Sequence, residues 1–148
     1  MRLIATLVFI GFSCVSNAQF IYVGKLDKSL VSKVRIKTSE RTRVKDMKAS
    51  IKDSLGNVIQ SVHIRWNAQF TIEVPYDQVW DLWVTCDGYQ TKVLRYNTMN
   101  VPDCEGRNGF WFGDLTVHLE KDEGYSHVNR VASIFYEPSI ARFDFEKY

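Results

Sequence analysis

The sequence predicts an all-β protein: a seven-stranded Greek-key sandwich with an extra C-terminal strand pair, preceded by a signal peptide. Three observations carry this reading. Between Met47 and Tyr96 polar and apolar residues alternate in short runs, and a period of two puts one kind of side chain on each face of a sheet. Turn-forming residues interrupt these runs at the spacing of a sandwich, notably Asp53-Ser54-Leu55-Gly56-Asn57 and Asp87-Gly88. Helix-period patterning is weak throughout, with room for a single turn only in 121–129.

Taken in order, residues 1–18 read as a secretory signal. Arg2 is a minimal positive region, Leu3 to Phe12 is the apolar stretch, and Ser16-Asn17-Ala18 supplies small residues at a cleavage site. The apolar run is too short to span a membrane as a helix, which takes about 20 residues. Cys14 adds the option of a lipid-anchored chain, although Gly11-Phe12-Ser13 departs from the usual residues before such a cysteine. Residues 19–120 form the expected sandwich domain, opening with a leader of no assigned structure up to Lys28. Strands are predicted at Leu30–Thr38, Met47–Lys52, Val58–Ile64, Phe70–Val74, Trp80–Cys86, Thr91–Tyr96 and Phe110–Leu119, with Arg41–Lys45 a linker or edge segment. Pro75 ends one ladder because it has no N–H to donate. Asn97–Gly109, with Pro102, Gly106 and Gly109, reads as an exposed loop. Residues 121–148 are a tail packed on or beside the sandwich, with strands at Val131–Tyr136 and Ile140–Phe145 around Glu137-Pro138-Ser139.

Composition narrows the function classes. The 148 residues carry a formal charge of +2, and loss of Arg2 with the signal leaves the mature chain almost neutral. Such a chain has no global attraction to nucleic acid or anionic lipid. The basic run Lys33, Arg35, Lys37, Arg41, Arg43, Lys45, Lys48 mostly alternates with Val34, Ile36, Thr42 and Val44, which is the pattern of a solvated strand face. Cys86 and Cys104 remain after the signal. Export permits a disulfide between them, but the strand after the Gly88 turn carries the chain about 20 Å from Cys86, so the spacing favours a buried Cys86 over a bridge.

The motifs resemble a known family. Asp53-Ser-Leu-Gly-Asn-Val-Ile-Gln60, Phe70-Thr-Ile-Glu-Val-Pro75 and Gly88-Tyr89-Gln90-Thr91-Lys92 resemble the carboxypeptidase-regulatory-like, or transthyretin-like, β-sandwich proteins common in the envelopes of Bacteroidota. The resemblance covers about 45 to 145 and implies a prealbumin-like, Ig-like sandwich. One departure is Arg65-Trp66-Asn67-Ala68-Gln69, where the family usually has Thr-Asp-x-x-Gly. The tail, Val131–Tyr136 through Arg142–Phe145, looks like one found in uncharacterised secreted proteins of that phylum. With no long C-terminal sorting domain in view, the resemblance implies residence in the periplasm, with outer-membrane association or secretion as alternatives.

Chemistry offers little. His63, His118 and His127 stand in no metal-ligand spacing, there is no Gly-x-Ser-x-Gly elbow, and Asp77, Asp81 and Asp87 form no calcium loop. The chain ends Phe145-Glu146-Lys147-Tyr148, without the Tyr-Arg-Gly-Ser of the ureide-opening transthyretin-like hydrolases. The expectation is therefore a protein that is not an enzyme and takes no cofactor or metal. Four tryptophans, Trp66, Trp80, Trp83 and Trp111, are a large complement for one domain, and sandwiches use exposed aromatics to bind. Trp66, Trp83, Tyr89, Trp111 and Phe143 make up the candidate binding surface. The expected function is an accessory or protein-interaction module of the cell envelope with an envelope protein as partner. The alternative is a secreted carbohydrate-binding domain that stacks glycan on exposed tryptophans.

Overall fold

Period-two alternation becomes ten strands in two sheets in the computed structural model, which describes residues 19–22, 29–38, 44–65, 69–102, 110–124 and 128–148. The strands are β1 (Gln19–Tyr22), β2 (Ser29–Thr38), β3 (Met47–Lys52), β4 (Val58–Ile64) and β5 (Gln69–Pro75), then β6 (Val79–Thr85), β7 (Lys92–Asn97), β8 (Phe110–Leu119), β9 (Asn129–Glu137) and β10 (Arg142–Lys147). A four-stranded sheet runs β1-β5-β2-β8, and a six-stranded sheet runs β10-β9-β7-β6-β3-β4. The all-β reading and the two layers stand. The strand count is corrected: the seven expected strands are β2 to β8, and β1 is added where no structure was assigned. The tail pair is not an appendage, because β9 pairs with β7 in parallel and continues the larger sheet.

Alternation decides what faces the core. Along β2, Leu30, Ser32, Val34 and Ile36 are buried while Lys33, Arg35 and Lys37 face solvent, so these three members of the basic run form the outer face of a strand; Arg41 and Arg43 lie outside the described residues. Phe70, Ile72 and Val74 on β5 meet Trp80, Leu82 and Val84 on β6 across the layer, in one apolar cluster. Each such side chain, fully buried, contributes about 1.5–3 kcal/mol. One polar contact crosses the core: Ser32 Oγ donates to Tyr96 Oη at 3.1 Å. Burial pushes the Tyr96 phenol well above the usual tyrosine range, with the serine bond opposing the shift, so this group stays protonated.

Turn chemistry fixes the connections. Asp53 Oδ1 accepts from the backbone N–H of Leu55 and of Asn57, at 2.9 and 2.8 Å, and closes the β3–β4 turn. At the β6–β7 hairpin Tyr89 N donates to Cys86 O at 3.1 Å, and Gly88 adopts φ +78°, a region that costs a Cβ-bearing residue about 1–2 kcal/mol. Gly113, at φ +79°, makes a bulge in β8, where two residues stand opposite one of β2 between the Val31 and Lys33 pairings.

Candidate functional site

Of the sequence-predicted surface, the structure describes the side chains of Trp83, Tyr89 and Phe143. Phe143 is corrected from surface to core: β10 sets it opposite Tyr136, and its ring packs on Tyr136 and Tyr76 at 5.6 and 6.1 Å between centroids. Tyr89 is half-buried beside the core and bridges to Lys121 at the hairpin tip. Trp83 lies on the outer face of the six-stranded sheet, as its phase against Leu82 requires. The Lys52 ammonium sits 3.6 Å from the centroid of its ring, and the buried indole N–H has no acceptor among the described residues. Trp66 lies outside the described residues. Trp111 is placed in β8 opposite Val31, on the four-stranded sheet, so it and Trp83 belong to different layers. Of the two tryptophans whose side chains are described, Trp83 faces outward and Trp80 inward. The fourth, Trp80, is a core residue whose indole donates to Pro75 O at 3.4 Å.

The arrangement of the sheets creates the feature that the sequence did not show. The six-stranded sheet has two strands more than the four-stranded one, and the two sheets approach each other at both edges, β1 beside β4 and β8 beside β10. There a groove of about 850 Å³ opens between β8 and the ends of β7, β9 and β10. Leu94, Ala132 and Phe145 line one side, and Leu115 and Val117 of β8 line the other. An edge-to-face contact of Phe112 with Phe145, 6.0 Å between centroids, stands toward one end. Among the described residues β8 pairs only with β2, so its far edge, which approaches β10, has no ladder partner among them.

Charge is concentrated at the other end. Lys92, almost fully buried, donates to Glu120 Oε2 at 2.6 Å and to Gln90 Oε1 at 3.4 Å, and Asn129 Nδ2 donates to the same Gln90 oxygen at 3.3 Å. The Lys92 ammonium, by hydrogen bond and by charge, holds the exposed Glu120 carboxyl below the usual glutamate range. Arg130 and Lys147 also line the groove, and neither makes an ion pair among the described residues.

Cys86 is a buried free thiol; Cys104 and Cys14 lie outside the described residues. Its Sγ donates to Lys45 O at 3.5 Å, and burial, then Asp87 and Asp46, raise its pKa, which keeps it a thiol rather than a nucleophilic thiolate. Among the described residues no three His, Cys, Asp or Glu side chains converge as a metal ion would need. No helix among them is long and apolar enough to cross a membrane.

No protein-family model matches the chain, and no curated protein matches it. Solved structures of similar shape include the Bacillus anthracis TIE protein, at 12% identity and a TM-score of 0.45 over 64% of this chain and 18% of that one. They also include the Acinetobacter radioresistens catechol 1,2 dioxygenase, at 12% identity and 0.45 over 79% and 62% of the two chains. A third is the 3-chlorocatechol 1,2-dioxygenase of Rhodococcus opacus, at 10% and 0.42 over 70% and 64%. This chain spans less than two-thirds of the length of each. Because two of these neighbours are enzymes, the expectation that the chain is not an enzyme is withdrawn. A likeness of this size assigns no reaction and no substrate.

Proposed function

We propose that the protein is an exported accessory or protein-interaction module of the bacterial cell envelope, resident in the periplasm. It is built on a carboxypeptidase-regulatory-like sandwich, with β2 to β8 as the seven-strand unit. One observation carries the interaction reading: a groove lined by apolar side chains of β7, β8, β9 and β10 lies beside the edge of β8 that has no ladder partner among the described residues. Exposed apolar surface beside an unpaired strand edge is an aggregation hazard unless a partner covers it. The signal-like 1–18 segment supports export, and the mature chain is expected to begin at Gln19.

The test compares recovery of partners by the tagged chain from native envelopes for wild type, Phe145→Glu and Leu55→Glu. Both side chains are exposed, at 44% and 85%, so neither substitution empties the core. Leu55 sits on the β3–β4 turn, at the opposite edge of the sheet. Stoichiometric recovery lost with Phe145→Glu and kept with Leu55→Glu, at unchanged melting temperature, supports the reading. Equal recovery by all three sinks it.

A further inference from the structure

We infer that the occupant of the groove is an extended, acidic–apolar segment of a partner protein, added as a fifth strand on β8. The inference rests on the interaction reading above and names the chemistry of the partner. Two features of the groove set the requirement. The far edge of β8, a ten-residue strand with no ladder partner there among the described residues, offers backbone groups that an extended chain can pair. Exposed Phe145 and half-buried Leu115 and Val131 accept the apolar side chains that an alternating segment turns to one face, above a buried floor of Leu94, Val117 and Ala132.

Charge selects the other face. The charged side chains lining the groove are Lys92, Arg130 and Lys147 against Asp114 and Glu120, with His118 besides. Glu120 is taken by Lys92, and Asp114 accepts from Gln69 Nε2 at 3.3 Å on the outer side of the smaller sheet. Arg130 and Lys147 are left without a carboxylate among the described residues, and Lys147 hangs beside the Phe145 ring at 5.7 Å. An incoming acidic side chain completes both, whereas a basic one meets two cations. Complementarity of this kind sets specificity and approach rate more than raw affinity. It also weakens with salt, over a Debye length of about 8–10 Å at ordinary ionic strength.

The experiment uses the mature chain and three short synthetic peptides in which valine alternates with glutamate, with glutamine or with lysine. Binding is read by fluorescence anisotropy, and its place by hydrogen exchange at the amides of β8. The glutamate peptide is expected to bind best, to slow exchange in β8 and to weaken as salt is raised. The double variant Arg130→Glu, Lys147→Glu is expected to lose about tenfold for it and to turn toward the lysine peptide. Both residues are surface cations, so an unchanged melt confirms that the variant is folded. Equal affinity for the three peptides overturns the acidic assignment. Absence of any protection in β8 overturns strand addition, while partner recovery through Phe145 still decides the interaction reading separately. A concentration-dependent dimer abolished by Phe145→Glu overturns the inference in favour of a second copy of this chain.

Discussion

At the scale of single residues, the Trp83 indole carries a buried N–H that no described residue accepts. Trp83 sits out of phase with Leu82, and that alone puts it on the outer sheet face; what it does there depends on Lys52 from β3 and on an indole N–H with no acceptor among the described residues. A buried donor left unbonded costs about 1–3 kcal/mol. Phenylalanine at this position removes the donor and keeps a ring under the Lys52 ammonium, with a weaker cation–π attraction of about 0.5–1 kcal/mol. Trp83→Phe is therefore expected to leave the denaturant midpoint unchanged or to raise it. A loss of more than about 2 kcal/mol would mean that the N–H is bonded after all. Phe143 shows the opposite limit. Its aromatic character was evident, but its burial follows from pairing with Tyr136, and alternation within its own short strand does not say which face has a second layer behind it.

At the scale of elements, local chemistry was legible and non-local pairing was not. The strands β3, β4 and β5 and the β6–β7 hairpin follow from alternation and turn residues, with ends within a residue or two. The strand β1 has four residues and pairs in parallel with β5, some fifty residues away, so nothing near it in the chain marks it as a strand. The β3–β4 turn is the clearest case of a legible device, and its pH dependence can be derived. Asn57 Nδ2, first, together with the N–H groups of Asn57, Leu55 and Gly56, holds the Asp53 carboxyl below its ordinary value, against a desolvation effect that exceeds any one of those N–H groups. A depressed folded-state pKa contributes stability that is present above the unfolded value and is lost as pH falls through the folded one. The wild type is thus expected to lose more stability than Asp53→Asn as pH falls from about 5 to about 2, and the difference to be flat above that window. Paired urea titrations at each pH measure it. Parallel curves would remove Asp53 from the account of this turn.

At the scale of the whole molecule, the tail both extends the larger sheet and lines the groove beside β8. Ten strands divide six to four because β9 docks on β7 and brings β10 with it, and no run of residues encodes that choice locally. The choice is energetic. Ile134 and Tyr136 on β9 and Phe143 on β10 are buried in the core, and β9 covers the edge of β7 that carries Leu94 and Tyr96. Three large side chains at about 1.5–3 kcal/mol each come to roughly 5–9 kcal/mol, an upper bound because unfolded chains already bury some surface. That is comparable with the entire stability of an ordinary domain, about 5–15 kcal/mol. Deleting residues 129–148 is therefore expected to abolish cooperative unfolding and to produce aggregates, since the β7 edge and the inner faces of Leu94 and Tyr96 become exposed together. Calorimetry and light scattering on the truncated chain check this. A monomer that melts cooperatively near the wild-type temperature would show that the other eight strands close the core unaided, and would free β9 and β10 for a role outside the fold. Aggregation, by contrast, ties them to it: the strands that stabilise the sandwich then also form one wall of the groove beside β8, so occupation of that groove adds to the stability of the sheet that builds it.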